Sequence, residues 1–292
     1  MKFTINKNII VEALSNAVRA LSTKITIPVL NGILLNLTND GLEVQASDSE
    51  LTIKTTIEAK NIVNIEKEGR AVLQSRCLLE IIRKMPSEII NFELTDNNNI
   101  KIYSDINEYI IECYNIGEYP NIALEKSQNT IYLESKILKE MINQTSYAMS
   151  MQEVRPLLTG LNLKINGDIL ECTATDSYRL SKKTVKLKDS INSNINIVIP
   201  GKSVNELVYI LKDEGNVEID LFKNKVLFHY NNILFQTALL NGTYPDTSNY
   251  IPKDFNYMIN LNLKEFYSAI DRASTIMVSK DKNIIKMVID NK

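Results

Sequence analysis

The chain has 292 residues, 44% of them hydrophobic, and a formal net charge of −2, which is enough for two ordinary domains and a fragment of a third. No run of about 18 apolar residues occurs, and MKFTINKN lacks a signal core, so membrane and secretory classes are disfavoured and we expect a cytoplasmic protein. Cys77, Cys113 and Cys172 form no CxxC pair, which argues against a disulfide framework or a zinc knuckle. The negative net charge means that any contact with nucleic acid requires a local basic face.

The first part of the chain predicts a helix, paired strands, a second helix and more strands. Apolar residues recur with a 3.6-residue period from residue 9 to 21, which predicts an amphipathic helix. The stretch DGLEVQASDSELTIK from Asp40 then predicts a strand, a small-residue corner and a second strand. The segment SRCLLEIIRKM predicts another helix with Ser75 as its N-cap, and the unit closes with the turn EYPNI at Glu118.

The same order of elements is written a second time, 128 residues later. DILECTATDSYRLSK from Asp168 repeats the stretch at Asp40 (168 − 40 = 128), and Pro156 repeats Pro28 (156 − 28 = 128). The second helix returns as SVNELVYILKD, which predicts an N-cap at Ser203, and the turn returns as TYPDTSNYIP. A repeat of this length indicates duplicated domains of one fold.

Adding 128 once more predicts a third helix near residue 262 and a third strand near residue 283. NLKEFYSAIDRASTI and NIIKMVIDNK fit those two places, and the third unit is then cut after roughly a quarter of its length. Many short alternating segments predict antiparallel strands with one buried face, so the fold class is α+β. We expect domains at residues 1–125 and 126–252, and an incomplete third domain at 253–292.

Candidates for catalysis are few. Asp48 and Asp176 recur at matching places and can be interpreted as paired acids, but an Asp after a strand is more often a turn or capping group. The single histidine, His229, lies in the alternating strand KVLFHY without a neighbouring Cys or His, which favours a structural role and no metal site. No nucleotide-binding or hydrolase motif is present, so an enzyme that uses the two Asp residues stays the weaker alternative, and no cofactor is predicted.

A binding groove is the better candidate. In TATDSYRLSK a strand end brings out Tyr178, Arg179 and Leu180, and the later turn adds Pro245 and Tyr250. Aromatic, proline and apolar residues around an Arg suit a shallow groove for an extended peptide. The residues alone leave open whether Tyr178 and Leu180 do this or merely fill the core of the second unit.

The three-unit repeat, MKFTI at the N-terminus, RPLLTG, TATDSYRL, VIPGKSVNEL and YPDTSNYIP together closely resemble the β subunit of bacterial DNA polymerase III, the sliding clamp. The resemblance covers the whole chain in order. It implies a tandem repeat of clamp-type domains, each with two helices packed on antiparallel sheets, that forms a homodimer ring around duplex DNA. It also implies a processivity factor without catalysis, which tethers the replicative polymerase and binds the clamp loader and repair proteins through short peptide motifs.

The resemblance also assigns residues. Its partner-peptide groove falls on Leu158, Thr175, Ser177, Tyr178, Arg179, Leu180, Pro245, Asn249 and Tyr250. Its positions facing duplex DNA, which is bound without regard to sequence, fall on Lys24, Arg76, Gln152 and Lys202. Its dimer interface falls on Tyr109, Ile111 and Ile276. Three groove positions depart from the family: Asn249 stands where an Arg is common, and Ser177 and Tyr178 replace a Gly-His pair.

The incomplete third unit separates two hypotheses about assembly. In the family the far end of the third domain forms the second ring interface and one wall of the groove. We therefore expect residues 1–292 alone to be monomeric, poorly packed after about Ile251, and unable to remain on circular DNA. The alternative to the ring is thus a truncated or diverged clamp relative that binds clamp partners as a monomer.

Overall fold

The computed structural model describes residues 1–22, 27–127, 130–252, 254–275 and 285–289, without the side chains of residues 75–77 and 189–193. The chain forms two compact units, Met1–Tyr244 and Pro245–Lys292. The first unit holds the first predicted repeat and the second as far as Tyr244, whereas residues 245–252, predicted as the end of the second domain, fall in the second unit. The short helices and antiparallel sheets of the first unit confirm the α+β class. None of the helices in the described residues has the length and apolar run that a membrane span requires.

The elements of the first unit follow one pattern twice. The first repeat contains β1 (Lys2–Asn6), α1 (Lys7–Ala17), β2 (Gly32–Thr38), β3 (Gly41–Ser47), β4 (Leu51–Glu58), β5 (Ile62–Lys67), β6 (Gly69–Gln74), α2 (Ser75–Lys84), β7 (Ile89–Leu94), β8 (Asn99–Tyr103) and β9 (Glu108–Tyr114). The second contains β10 (Thr130–Glu134), α3 (Ser135–Asn143), β11 (Gly160–Thr175), β12 (Leu180–Pro200), α4 (Gly201–Ile210), β13 (Asn216–Leu221), β14 (Lys225–Tyr230) and β15 (Ile233–Ala238). Long β11 and β12 replace the shorter strands β2 to β6, and Pro28 and Pro156 each begin a single 3₁₀ turn before a strand.

The first helix forms for the reason that the sequence indicates. Asn6 caps α1, because its side-chain oxygen accepts a hydrogen bond from the backbone N–H of Asn8 at 2.9 Å. Ile10, Leu14 and Ala17 are fully buried at helical spacing. The predicted amphipathic helix is therefore confirmed, with its apolar stripe on the core.

The predicted serine caps of the second helix in each repeat are wrong. The N-cap residues are Gln74 and Pro200, and neither makes a side-chain capping bond. Ser203 lies inside the first turn of α4, where its hydroxyl is bonded to Thr237 Oγ1 at 2.7 Å. The two N-cap residues are 126 residues apart (200 − 74 = 126), whereas the earlier elements of the repeats are 128 apart. An alignment that keeps the offset at 128 therefore misplaces the second N-cap by two residues.

One hydrogen-bonded series of strands runs through both repeats. Its order is β10, β13, β14, β15, β4, β3, β2, β6, β9, β8, β7, β1, β5, and β11 pairs separately with β12. The two repeats are joined where β15 pairs antiparallel with β4, from Ile233 opposite Thr55 to Thr237 opposite Leu51. The joint is therefore a sheet edge in each repeat, paired through backbone groups.

The helices form a second layer across the same joint. α1 contacts α2, and α3 contacts α4. Arg19, just after α1, connects the two pairs because its guanidinium forms an ion pair with Glu206 of α4 at 3.0 Å and lies 4.4 Å above the ring of Tyr209. Sheet and helices thus both cross from the first repeat to the second.

The second unit contains the predicted third helix, α5 (Leu263–Ser274). Asn262 caps it, since its side chain accepts a hydrogen bond from the N–H of Glu265 at 3.2 Å. None of its residues is buried. The predicted strand near residue 283 is not confirmed over residues 285–289, which have no strand partner among the described residues and therefore form no ladder.

Two matching glycines allow close approach of strands, and they yield a prediction. A Cβ on Gly32 would lie 2.5 Å from Val72 Cγ1, and one on Gly160 would lie 2.7 Å from the carbonyl oxygen of Ile199. We expect Gly32→Ala and Gly160→Ala each to lower the free energy of unfolding by about 1–3 kcal/mol through overpacking. Chemical denaturation measures this.

Gly117→Ala is the control, because its Cβ would meet only Asn115 Oδ1 at 3.4 Å. Equal stability losses in all three variants would contradict the close-approach explanation.

A cross-strand ion pair is also repeated. Lys54 Nζ lies 2.7 Å from Glu43 Oε1 between β4 and β3, and Lys182 pairs with Glu171 at the matching place 128 residues later. Burial raises the pKa of the Glu43 carboxyl, but hydrogen bonds from Lys54 and Asn36 outweigh it, so the pKa lies below its ordinary value. The pair therefore stabilises the fold only where Glu43 is ionised.

Lys54→Gln should lower the free energy of unfolding at pH 7 by up to about 1 kcal/mol. Because the folded pKa of Glu43 is depressed, this contribution is complete above the ordinary pKa of a Glu and is lost as pH falls through the folded pKa. The difference between wild type and Lys54→Gln should thus narrow below about pH 4, as urea unfolding at several pH values would show.

Lys60→Gln is the matched control, because the Lys60–Glu58 pair is mostly exposed, and it should change stability little at any pH. A wild-type advantage over Lys54→Gln that grows on acidification would contradict the assignment.

Candidate functional site

The turn between β3 and β4, from Ser47 to Thr52, is called the first corner, and the turn between β11 and β12, from Thr175 to Leu180, the second corner. The two corners have the same geometry. Asp48 Oδ1 accepts hydrogen bonds from the backbone N–H groups two and three residues later, at 3.1 and 2.8 Å. Asp176 Oδ1 does the same at 2.9 and 3.0 Å. The next residue is left-handed in both corners, with φ of 83° at Ser49 and 77° at Ser177. The repeated Asp is therefore a turn cap, as the more common role of such residues predicts.

The second oxygens of the two carboxylates have different partners. Asp48 Oδ2 pairs with Lys202 of α4, whereas Asp176 Oδ2 accepts from Arg179 Nε at 3.0 Å. Burial raises the pKa of Asp176, but the backbone N–H groups of Arg179 and Tyr178 and the Arg179 guanidinium together hold the pKa below its usual value. Both oxygens of each carboxylate therefore have hydrogen-bond or ion-pair partners within the protein. This arrangement gives no support to the alternative that the two Asp residues are catalytic acids.

His229 has a structural partner. Its Nε2 lies 2.9 Å from Oδ2 of the fully buried Asp220 on the neighbouring strand. Within the described part of the chain, no group of three His, Cys, Asp or Glu residues is placed to hold a metal ion. The histidine therefore belongs to the β13–β14 packing.

A small apolar cluster forms the floor of the second corner. Leu158, Val198 and Tyr244 are buried together, separately from the main core. The phenolic oxygen of Tyr244 accepts a hydrogen bond from the backbone N–H of Thr175 at 3.0 Å, and Thr175 Oγ1 donates to the carbonyl of Arg179 at 2.7 Å. Leu158 and Thr175 thus share Tyr244 as a neighbour, and Thr175 contacts Arg179, while their part in a peptide groove stays a prediction.

The rim of this corner is exposed. Tyr178 is 97% exposed, Ser177 and Arg179 are exposed, and Leu180 is half-buried. An exposed aromatic residue beside an Arg is common in binding surfaces. The alternative in which Tyr178 fills the core is therefore wrong.

Two residues of the rim escaped the groove assignment. The Arg179 guanidinium lies 5.8 Å from the ring centre of Tyr147, and Arg155 Nη1 donates to Ser177 Oγ at 3.4 Å. Tyr147 carries no periodic or motif signal, and Arg155 could have been found as the first residue of RPLLTG. The loop after α3 thus forms part of the corner.

The first corner is closed by comparison. Ser47 and Thr52 stand where Thr175 and Leu180 stand in the second repeat, and their hydroxyls are bonded to each other at 2.8 Å. Thr52 is only 3% exposed, and β15 pairs with β4 directly at Thr52. β12, in contrast, pairs only with β11 among the strands that the structure describes. The second corner is therefore the accessible one.

The remaining groove residues lie in the second unit. Pro245, Asn249 and Tyr250 are all exposed there, and the N–H of Tyr250 donates to the carbonyl of Thr247 at 3.2 Å. Their part in a groove stays a prediction.

The predicted DNA-facing residues are described only in part. Gln152 is exposed in the loop after α3, and Lys202 is exposed on α4 but paired with Asp48. Lys24 lies outside the described residues, and of Arg76 the structure describes only the backbone, in the first turn of α2. Their contact with DNA stays a prediction.

The predicted interface residues lie on β9. Tyr109 is exposed there, and Ile111 is half-buried against the core. The strand pairs with β8 from Glu108 to Glu112 and with β6 only at Cys113 and Tyr114. Ile276 lies outside the described residues, so the interface also stays a prediction.

Comparison with known proteins agrees with this architecture. Family models described as the N-terminal and central domains of the DNA polymerase III beta subunit match residues 1–123 and 132–246. The beta sliding clamp of Bacillus subtilis (strain 168) is 39% identical over 98% of this chain and 77% of its own length, and that of Staphylococcus aureus (strain Mu50) is 35% identical with the same coverage. The crystal structure of the DNA polymerase sliding clamp from Bacillus subtilis superimposes with a TM-score of 0.92, covering 97% of this chain and 76% of that one. The chain therefore belongs to the family of bacterial beta sliding clamps, the β subunits of DNA polymerase III.

Proposed function

We propose that the chain acts as a DNA sliding clamp, a processivity factor of the replicative DNA polymerase without catalytic activity of its own. A polymerase tethered to a ring on duplex DNA has a high effective concentration at the primer end, so rebinding is faster than loss. Family membership and the two matching repeats joined edge to edge support this function. No cofactor is part of the proposal.

The open corner of the second repeat is the observation that carries the partner-binding part of the proposal. It combines a buried apolar floor at Leu158 and Tyr244 with a half-buried Leu180 and an exposed Tyr178 and Arg179. An apolar anchor of a peptide can pack beside Leu180, while Arg179 supplies hydrogen-bond donors that set orientation. The proposed ligands are short peptides containing Gln and Leu, from the polymerase, the clamp loader and repair proteins.

The helical layer supports weak DNA binding that is independent of sequence. Its basic residues are largely engaged with carboxylates, in the pairs Arg19–Glu206, Lys139–Asp213 and Lys212–Glu12. A phosphate that contacts one of these cations competes with an internal partner, which weakens each contact. Weak contacts directed at phosphates allow sliding, because base-specific contacts would hold the protein in place.

Ring assembly and its monomeric alternative make opposite predictions for residues 1–292. A ring remains on nicked circular DNA during gel filtration at high salt and is lost when the same DNA is linearised. A monomer that binds partner peptides is retained on neither form of the DNA. In α5, Phe266 and Ser268 are half-buried, the other residues are exposed and none is buried, which favours this alternative for the isolated chain. Sedimentation mass and retention on circular DNA together decide between the two.

Leu180→Ala tests the groove directly. Truncating an apolar anchor should weaken binding of a Gln- and Leu-containing peptide by about 1–2 kcal/mol, or roughly five- to thirtyfold in Kd. Because Leu180 is only half-buried, the fold should be preserved. Calorimetric titration measures the affinity, and circular dichroism verifies the fold.

Val63→Ala is the matched control, since Val63 is an exposed apolar residue on β5 of the first repeat, in a different sheet from β11 and β12, which flank the second corner. It should leave the affinity unchanged. Wild-type affinity in a folded Leu180→Ala variant would reject the groove.

A further inference from the structure

The corner Asp residues use one carboxylate oxygen alike and the other differently. In both repeats Oδ1 accepts the two backbone N–H groups that form the turn. Oδ2 of Asp48 accepts a hydrogen bond from Lys202, 154 positions away in the sequence. Oδ2 of Asp176 instead accepts one from Arg179 in the same corner. The first pairing joins two repeats, and the second joins nothing distant.

The local pairing needs an explanation other than stability. The side chain of Arg179 is 56% exposed, and exposed ion pairs add little to the free energy of folding. The turn is already formed through Oδ1. What the second oxygen adds is an orientation for Arg179, since its Nε is bonded to Asp176 and its guanidinium lies beside the ring of Tyr147.

An oriented arginine suits the recognition of peptide oxygens. Among the described residues, hydrogen bonds engage the backbone and Nε of Arg179 but neither Nη group. A free arginine loses side-chain entropy when a ligand immobilises it, whereas a held one has lost part of it already. Asp176 thus lowers the entropic cost of binding and leaves the Nη donors available.

We propose that Asp176 is a positioning residue of the partner site, which holds Arg179 so that its Nη groups donate to main-chain carbonyl or carboxylate oxygens of a bound peptide. This inference rests on the proposed peptide-binding function of the second corner. Asp48, which has the same cap but pairs with Lys202, has no such role.

A double-mutant cycle separates positioning from capping. Asp176→Asn keeps an Oδ1 acceptor for the backbone and removes the charge that holds Arg179. With a fluorescein-labelled Gln- and Leu-containing peptide, anisotropy should show about three- to tenfold weaker binding for Asp176→Asn. The same substitution in an Arg179→Gln background should cost nothing further, because the residue through which it acts is gone.

Asp48→Asn is the matched control, and it should bind the peptide with wild-type affinity. Arg179→Lys provides a second measurement that does not depend on the cap. A lysine keeps the positive charge but has a single side-chain nitrogen, so it cannot bond Asp176 and still offer two other nitrogens to a peptide. The Arg179→Lys variant should therefore bind the peptide as weakly as Arg179→Gln.

The outcomes are distinguishable. If Asp176→Asn lowered peptide affinity equally in the wild-type and Arg179→Gln backgrounds, Asp176 would be a turn cap only. Unchanged peptide affinity of Asp176→Asn or Arg179→Lys would also overturn the inference. If the wild-type chain bound no peptide, both the groove and this inference would be rejected, whereas peptide binding without coupling would reject the inference alone.

Discussion

Backbone pairing of β15 with β4 is the interaction on which the arrangement of the two repeats depends. It joins an edge strand of each repeat into one hydrogen-bonded series. Backbone pairing needs few particular side chains, so it can recur wherever a repeat presents the same edge. Ion pairs from Arg19 to Glu206 and from Lys202 to Asp48 reinforce it on the helical side.

The same pairing explains why two nearly identical corners have different roles. In the first repeat it covers Thr52, whose hydroxyl is bonded to Ser47, so the corner is closed and polar. In the second repeat the matching positions are Thr175 and Leu180, next to an exposed Tyr178. The same stable turn thus occurs in both repeats. The first corner lies at the junction of β4 with β15, and the second corner is a candidate binding surface.

The repeat itself could be predicted from sequence because both copies preserve residues with specific physical roles. The capping Asp, the left-handed Ser that follows it and the Glu43–Lys54 pair all recur at an offset of 128. The tyrosines of the two closing turns, Tyr119 and Tyr244, are 125 residues apart (244 − 119 = 125), and each packs in a small satellite cluster. These positions are restricted by backbone geometry or burial, so their pattern is readable.

The parts that could not be predicted depend on partners distant in sequence. The serine caps failed because the offset changes within β12, and only strand pairing reveals the change. The contact of Arg179 with Tyr147 joins two separate loops, and no periodicity encodes it. Amide hydrogen exchange of the 292-residue chain, with and without a saturating Gln- and Leu-containing peptide, tests most directly whether only the second corner binds peptide. We expect new protection at Thr175 to Leu180 and none at Ser47 to Thr52. Protection at the first corner, or none at the second, would show that the two corners do not have these different roles.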